Sequence, residues 1–453
     1  MISVQNLRRL LNGNSILVIL LVFLLASCGG SKKTPTKTKS RKKPTVQKTK
    51  PRPVKRSDVK VDRKDWRKDK EKKDKEKEQE TVEGYIMKDV YNVTLFIPFD
   101  VASSGGDISP ISNKFINYYA GVTLALRELE QEGLNLNLKV YDSKERFDSK
   151  LNEKSNESAD VIIGPYDTER LKKVAAFGKE HKIPVISPWK ASKKITKQNP
   201  YYIQLSPNPS DHYKKITDHI NENFSPDQVF LLARDNNKDE TLTKYIQRYH
   251  QSSSKRDAYN EFTVNEDSLQ VGDNAYDSLF VMNRPTVFVI PNYSSKDENY
   301  IYNCVRRIST EKELHQVYVY GMPILLDTDK ITYDYYKNLG IRTCGAKFVN
   351  RSNSDVVNFE RQFFNEYNGL PTDDAFEGYD MMKFVGIGLL NYGQHFQKHF
   401  LNEDFKSLQT IYNISGLEPD EEMSLENEPA VEYYQNMHLD IIQYQADGFK
   451  RIR

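Results

Sequence analysis

Cysteine is scarce in this sequence of 453 residues, which contains three, and its apolar runs are short. The run from Ile16 to Leu25 is too short to cross a bilayer as a helix. Neither a Gly-x-Ser-x-Gly nucleophile elbow nor a phosphate-cradling glycine loop occurs. Because no nucleophile is paired with a base, we expect a protein that is not an enzyme, and nothing predicts a cofactor.

Histidine is also sparse, with eight residues, and their spacing is not typical of zinc sites. His395 and His399 are four residues apart, as two metal ligands on one helix face would be. No glutamate pattern accompanies them, and a solvated helix end explains the pair better. No metal site is therefore predicted.

The amino terminus indicates the compartment. Arg8 and Arg9 precede the short apolar run, and Leu-Ala-Ser then precedes Cys28. A basic start, a short apolar core and small residues before a cleavage site are typical of a secretory signal, which we place at 1–27. The cysteine resembles that of a bacterial lipobox, which implies that Cys28 is the lipid attachment site. By resemblance to the sorting rules of enteric bacteria, Gly29 favours an outer-membrane lipoprotein facing the periplasm.

Residues 28–82 are predicted to form a disordered basic tether. Between Gly29 and Val82 there are 22 Lys or Arg and 9 Asp or Glu, with almost no apolar residues to offset the entropy of ordering. A solvated spacer is the simpler interpretation, and contact with phosphate-rich lipid or an acidic envelope polymer is the alternative. A third possibility is folding back onto the body, since residues 83–453 carry a net negative charge. Nucleic acid is not an expected partner of an exported protein.

The stretch from Asp160 to Trp189 organises the rest of the chain. Val161-Ile162-Ile163 is a short β-branched run ended by Gly-Pro, which predicts a buried parallel strand. Asp167 or Thr168 can cap the amphipathic helix that follows. Pro184-Val185-Ile186-Ser187 predicts a second strand, so the unit is strand–helix–strand with a right-handed crossover.

This stretch resembles the type I periplasmic-binding-protein family, which includes the branched-chain amino-acid receptors. The resemblance rests on Ile163-Gly164-Pro165, the hydroxyl of Thr168, the helix after it and the run Ile183–Pro188, and it extends from about residue 92 to the carboxyl terminus. It implies an α/β fold of two doubly wound parallel-sheet lobes within residues 83–453. We expect lobe one at 88–205 and 323–398, and lobe two at 206–322 and 399–453.

Residues that follow predicted parallel strands should line the cleft between these lobes, because the carboxyl ends of such strands form one edge of a sheet. The predicted ligand-binding residues are Asp100, Tyr166, Asp167, Thr168, Ser187, Trp189 and Asp235. Thr168 and Ser187 suit a carboxylate, whereas Asp100 and Asp235 suit an ammonium group. The branched-chain receptors have small and hydroxyl residues where this chain has Trp189 and Lys190, so Trp189 either stacks on a ligand ring or plugs the cleft.

Cys304 and Cys344 are the cysteines that remain once Cys28 is lipidated. Two cysteines in an oxidising compartment can pair, so a Cys304–Cys344 disulfide is predicted, with two buried free thiols as the alternative.

Two hypotheses about function follow from the resemblance. The first is capture of a small polar, amino-acid-like solute by closure of the two lobes. The second is a protein-binding module of the cell envelope, such as a regulator of peptidoglycan synthesis with a vestigial cleft. A long tether that reaches toward the cell wall suits the second hypothesis, since a soluble importer needs no such reach.

Overall fold

A computed structural model describes residues 87–100, 108–254, 256–269, 274–280, 283–399, 403–419, 431–445 and 448–452. The predicted signal peptide, the tether and Cys28 lie outside the described residues. No helix within the described ranges has the length and apolar character needed to cross a membrane.

The strands of the described chain form two sheets. Their bounds are β1 (Tyr91–Ile97), β2 (Leu136–Asp142), β3 (Val161–Ile163), β4 (Val185–Ser187), β5 (Tyr202–Gln204), β6 (Val229–Ala233), β7 (Asn260–Thr263), β8 (Thr286–Ile290), β9 (Val317–Gly321), β10 (Arg342–Gly345), β11 (Asp404–Lys406), β12 (Ile411–Gly416), β13 (Tyr434–Asn436), β14 (Asp440–Gln445) and β15 (Gly448–Ile452). The predicted strand–helix–strand unit is present, because β3 pairs with β4 in parallel.

The helices flank both sheets, as alternating strands and helices require. They are α1 (Pro110–Gln131), α2 (Phe147–Leu151), α3 (Lys154–Glu157), α4 (Thr168–His181), α5 (Pro209–Asn223), α6 (Asn237–Ser253), α7 (Glu298–Glu311), α8 (Ile324–Asp327), α9 (Tyr333–Asn338), α10 (Ser354–Tyr367) and α11 (Asp373–Tyr392). Because α11 ends at Tyr392, His395 and His399 do not share a face of that helix.

The first sheet has the order β11-β12-β13-β5-β4-β3-β1-β2, and the second has the order β15-β14-β10-β9-β8-β6-β7. Pairing is parallel from β2 to β13 in the first sheet and from β7 to β10 in the second. Antiparallel strands complete one side of each sheet. The chain therefore has two parallel-dominant lobes, and the predicted fold class is confirmed.

The strand order corrects the predicted lobe boundaries. Strand β10 pairs with β9, so the chain stays in the second lobe as far as Gly345 rather than leaving it near residue 323. Strands β11 to β13 join the first sheet next to β5, so the expectation that all of 399–453 belongs to the second lobe is wrong. The first lobe thus contains 87–205 and the strands and helices from 354 to 436, and the second contains 209–345 and 440–452.

The predicted Cys304–Cys344 disulfide is absent, since both thiols are free and fully buried. Cys304 packs in a core cluster with Tyr276 and Tyr300, whereas Cys344 belongs to a separate cluster with Tyr213 and other residues. The alternative, two buried free thiols, is the arrangement observed.

Candidate functional site

The carboxyl edge of the first sheet is filled by an aromatic cluster around Trp189. The Trp189 ring centroid lies 5.1 Å from that of Phe115, 5.0 Å from that of Tyr118 and 5.9 Å from that of Tyr166. The Lys190 ammonium lies over the Tyr166 ring, 4.3 Å from its centroid. Trp189 therefore packs against the protein's own side chains, which corresponds to the second of the two alternatives, a ring that plugs this part of the cleft.

Gly164 makes this packing possible at the end of β3. Its φ of 80° lies in the left-handed region, and a Cβ added there would come within 2.4 Å of the Phe96 carbonyl oxygen and 3.2 Å of Trp189. Strands β1 and β3 are neighbours here while β2 lies on the other side of β1, so this is a topological switch point. Ligands of open α/β sheets bind at such points, and Trp189 lies beside this one.

The polar residues predicted on this rim serve local structure. Ser187 is 1% exposed, and its hydroxyl donates to the Lys190 carbonyl at 3.5 Å. The Asp167 carboxylate caps α4 by accepting from the Arg170 backbone N–H at 2.9 Å, and Thr168 is the first residue of that helix. Tyr166 and Trp189 are brought together, but Ser187 is covered by the loop that follows it.

The two predicted aspartates lie at the ends of their strands. Asp100 follows β1 in the left-handed region with a φ of 55° and is half-buried. Asp235 follows β6 and is exposed. At this edge of the second sheet Arg234, the residue before Asp235, makes the buried contacts instead.

Arg234 occupies the switch point of the second sheet, between β6 and β8. Its guanidinium forms a bidentate pair with Asp239, at 2.8 and 2.9 Å, and donates to Asp297 at 2.7 Å. It also lies over the Tyr300 ring, 4.3 Å from the centroid. Burial alone would raise the pKa of the Asp239 carboxyl, but the bonds from Arg234 lower it overall. The carboxylate is thus held ionised against Arg234, and this network leaves little room for a ligand between the two strands.

An open cavity of about 420 Å³ lies to one side of these filled switch points. The lining comes from the loop after β4, the crossing after β5, and the segments that follow β8 and β9; it comprises Ala191, Pro207, Pro209, His212, Tyr293, Ser295, Glu298, Met322, Pro323, Ile324, Asp327 and Thr328. Because Ala191 belongs to the first lobe and Tyr293 to the second, the cavity lies between the lobes. Its volume falls in the range of small-molecule sites.

Two carboxyl groups and an imidazole give the cavity its polar character. Glu298 accepts from the Thr328 hydroxyl and pairs with Lys330 at 3.3 Å, and these contacts lower the pKa of its carboxyl. Asp327 is exposed at the surface, but partial desolvation raises the pKa of its carboxyl; the nearby Asp373 raises that pKa further, and Lys347 lowers it. Burial also lowers the pKa of the His212 imidazole, which therefore favours the neutral form.

Sequence reasoning did not identify these lining residues. Pro291-Asn292-Tyr293 directly follows β8, so the rule that points to Asp235 after β6 also points to Tyr293. The same rule applied to β9 points to the segment from Met322 onward. His212 carried no such signal, because it lies in the first turn of α5 rather than after a strand.

Comparison with known proteins agrees with this architecture. The family model described as "Receptor family ligand binding region" matches residues 120–418. Since this match covers more than half of the sequence, the chain belongs to that receptor family, a type I periplasmic-binding-protein-like class, and the predicted resemblance is confirmed. No curated protein sequence matches the chain.

Solved structures with the same fold include several bacterial transport receptors. A putative branched-chain amino acid ABC transporter from Rhodospirillum rubrum is 12% identical with a TM-score of 0.56, covering 80% of this chain and 100% of that chain. A branched-chain amino acid periplasmic ligand-binding protein from Burkholderia xenovorans is 12% identical with a TM-score of 0.53, covering 80% and 94%. The substrate-binding protein from Desulfitobacterium hafniense in complex with Leu is 13% identical with a TM-score of 0.50, covering 80% and 100%. At these identities the likeness establishes the fold.

Proposed function

We propose that this protein is a lipid-anchored receptor of the bacterial cell envelope that captures a small polar solute between its two lobes. The observation that carries the proposal is the cavity of about 420 Å³, lined from both lobes and from the crossing after β5. Closure of two lobes around a bound solute excludes water and strengthens each polar contact with it. In this proposal the protein binds without catalysing a reaction and needs no cofactor.

A cavity-filling variant tests this function. In Ala191→Trp the new side chain occupies the interlobe cavity, so solutes that raise the melting temperature of the mature chain should lose their effect. Lys194→Trp, an exposed position on the same loop, is the matched control and should respond as the wild type does. The screen uses amino acids, amines, sugars, nucleosides and muropeptides. A solute that stabilises Ala191→Trp as well as the wild type would place binding elsewhere.

The second candidate function is a protein-binding module of the envelope, such as a regulator of peptidoglycan synthesis. The aromatic packing of Trp189 and the buried hydroxyl of Ser187 favour it, because together they close the rim at which a carboxylate would bind. A strain that carries Ala191→Trp should then incorporate peptidoglycan precursors at the wild-type rate, while deletion of the gene lowers that rate. If the incorporation rate falls in the Ala191→Trp strain as well as in the deletion strain, the cavity itself is needed for function.

The lipid anchor is the part of the proposal that depends on Cys28. Cys28→Ser should abolish signal cleavage and detergent-phase partitioning, because no thiol remains to be diacylated. Fractionation of the wild-type envelope should place the processed form in the outer membrane. A processed Cys28→Ser protein that still partitions into detergent would contradict the assignment.

A further inference from the structure

The charge of the interlobe cavity indicates what kind of solute it takes, and this inference rests on the function proposed above. Glu298 and Asp327 contribute carboxyl groups, whereas neither lysine nor arginine occurs among these lining residues of the described chain. Lys330 pairs with Glu298. For Asp327, the described parts of the chain supply neither a hydrogen bond nor an ion pair within 4 Å.

His212 adds an acceptor to the same wall. Its Nδ1 lies 3.0 Å from the Cys344 carbonyl oxygen, and since a carbonyl only accepts, Nδ1 carries the proton. In the neutral ring Nε2 is then an acceptor. The polar part of this wall is therefore complementary to a donor-rich, positively charged group.

The remaining walls are aromatic or apolar. Tyr293 lines the cavity and is 49% exposed, and the face of a tyrosine ring attracts a cation through its quadrupole. An apolar wall is formed by Pro207, Pro209, Met322 and Ile324. Together these surfaces suit a cationic head attached to a compact apolar body.

The first lobe offers little to an anionic group. The Ser187 hydroxyl donates to the Lys190 carbonyl, and the Lys190 ammonium lies over Tyr166. A solute carboxylate would thus meet carboxyl groups in the cavity without a cation among the lining residues. We propose that the solute is an organic cation, a primary amine on an apolar body, that binds through Asp327 and Glu298.

Three probes of the same branched shape separate the possible classes. They are 3-methylbutylamine, which carries only the amine, 4-methylpentanoate, which carries only the carboxylate, and L-leucine, which carries both. Isothermal titration calorimetry on the lipidated mature chain in detergent should show binding of the amine at least about tenfold tighter than that of leucine, and no binding of the acid. Leucine or the acid binding more tightly than the amine would overturn the cation proposal and leave the receptor function standing.

Matched variants test the residues involved. Asp327→Asn should weaken binding of the amine by about tenfold or more, because the unpaired carboxylate is lost. Asp329→Asn, an exposed neighbour outside the cavity lining, should leave binding unchanged. If the amine binds Asp327→Asn as tightly as it binds the wild type, but does not bind Ala191→Trp, the Asp327 charge has no role in binding. That result would still place the amine in the interlobe cavity. If none of the three probes binds, the cation proposal is wrong. The receptor function would still be supported if a solute from the wider screen binds the wild type but does not bind Ala191→Trp.

Discussion

The Trp189 indole stands edge-on to the Phe115 ring, with centroids 5.1 Å apart and ring planes at 87°. This pair joins the loop after β4 to the first turns of α1 and lies over the carboxyl edge of the first sheet. Edge-to-face pairs of this kind are stabilising beyond the area they bury. The contact therefore fixes the conformation of a loop that borders the interlobe cavity through Ala191.

Removal of the Trp189 ring should destabilise the protein and open this rim. Trp189→Ala removes contacts with three aromatic rings, and we expect a loss of about 3 kcal/mol in the free energy of unfolding. Trp189→Phe is the control. It retains a ring and removes an indole N–H that has no acceptor among the described residues, so its cost should stay below about 1 kcal/mol. Urea unfolding of the mature chain measures both, and equal losses would contradict the packing role.

The strand–helix–strand unit of the first lobe could be predicted because its signals are local. The run from Val161 to Ile163, the Asp167 cap and the glycine–proline turn all lie within a few residues of one another. Boundaries between the lobes could not be predicted in the same way. Whether β10 extends the second sheet depends on pairing with β9 and β14, and the segment from 342 to 345 has no composition that distinguishes the two sheets.

Part of the candidate site could not be predicted because it depends on contacts between residues that are distant in the sequence. The rule that ligands bind where parallel strands end points to the edges beside β3 and β6, yet Arg234 bonds to Asp297, which is 63 residues away in the sequence. Such a partner cannot be read from the residues that follow β6. Only the tertiary structure therefore shows that side chains fill this switch point. It also shows that the cavity lies nearer to the ends of β8 and β9.

Protonation of His212 should reduce stability at acidic pH. Burial lowers the pKa of His212 below its ordinary value of 6.5, so the unfolded chain binds a proton before the folded chain does. Stability contributed by the neutral ring is present above pH 6.5 and is lost as pH falls from 6.5 through the lower folded-state pKa. His212→Gln cannot titrate, so the gap in unfolding free energy between wild type and variant should shrink from about pH 7.5 to about pH 5.5. If the difference in unfolding free energy between wild type and His212→Gln instead grows as the pH falls, the lowered pKa of His212 is contradicted.

The two core thiols should be unreactive in the native protein. Burial raises the pKa of the Cys304 thiol to about 12 and also raises that of Cys344, so neither is a thiolate at neutral pH. Iodoacetamide should therefore modify neither until denaturant is added, after which both should react. Reduction should leave the intact mass unchanged. A native mass lower by two hydrogens would show that the pair is bridged and would contradict the packing of the thiols in separate clusters.

Close contact between α1 and α11 should make Gly378 intolerant of a side chain. A Cβ built on Gly378 would lie 2.0 Å from the Tyr118 carbonyl oxygen, and one on Gly121 would lie 1.8 Å from the Ala375 carbonyl oxygen, so the two helices meet backbone to backbone. Backbone oxygens cannot rotate away as a side chain can, and Gly378→Ala must force the helices apart at a cost of about 3 kcal/mol. Gly369→Ala is the matched control, because nothing lies within 4 Å of its added Cβ, and its effect should stay within about 0.5 kcal/mol. Tyr118 also contacts Trp189, so displacement of α1 in Gly378→Ala should move the Trp189 ring and change tryptophan fluorescence in the folded state. Equal stability of the two variants would mean that the helices are less closely packed than described.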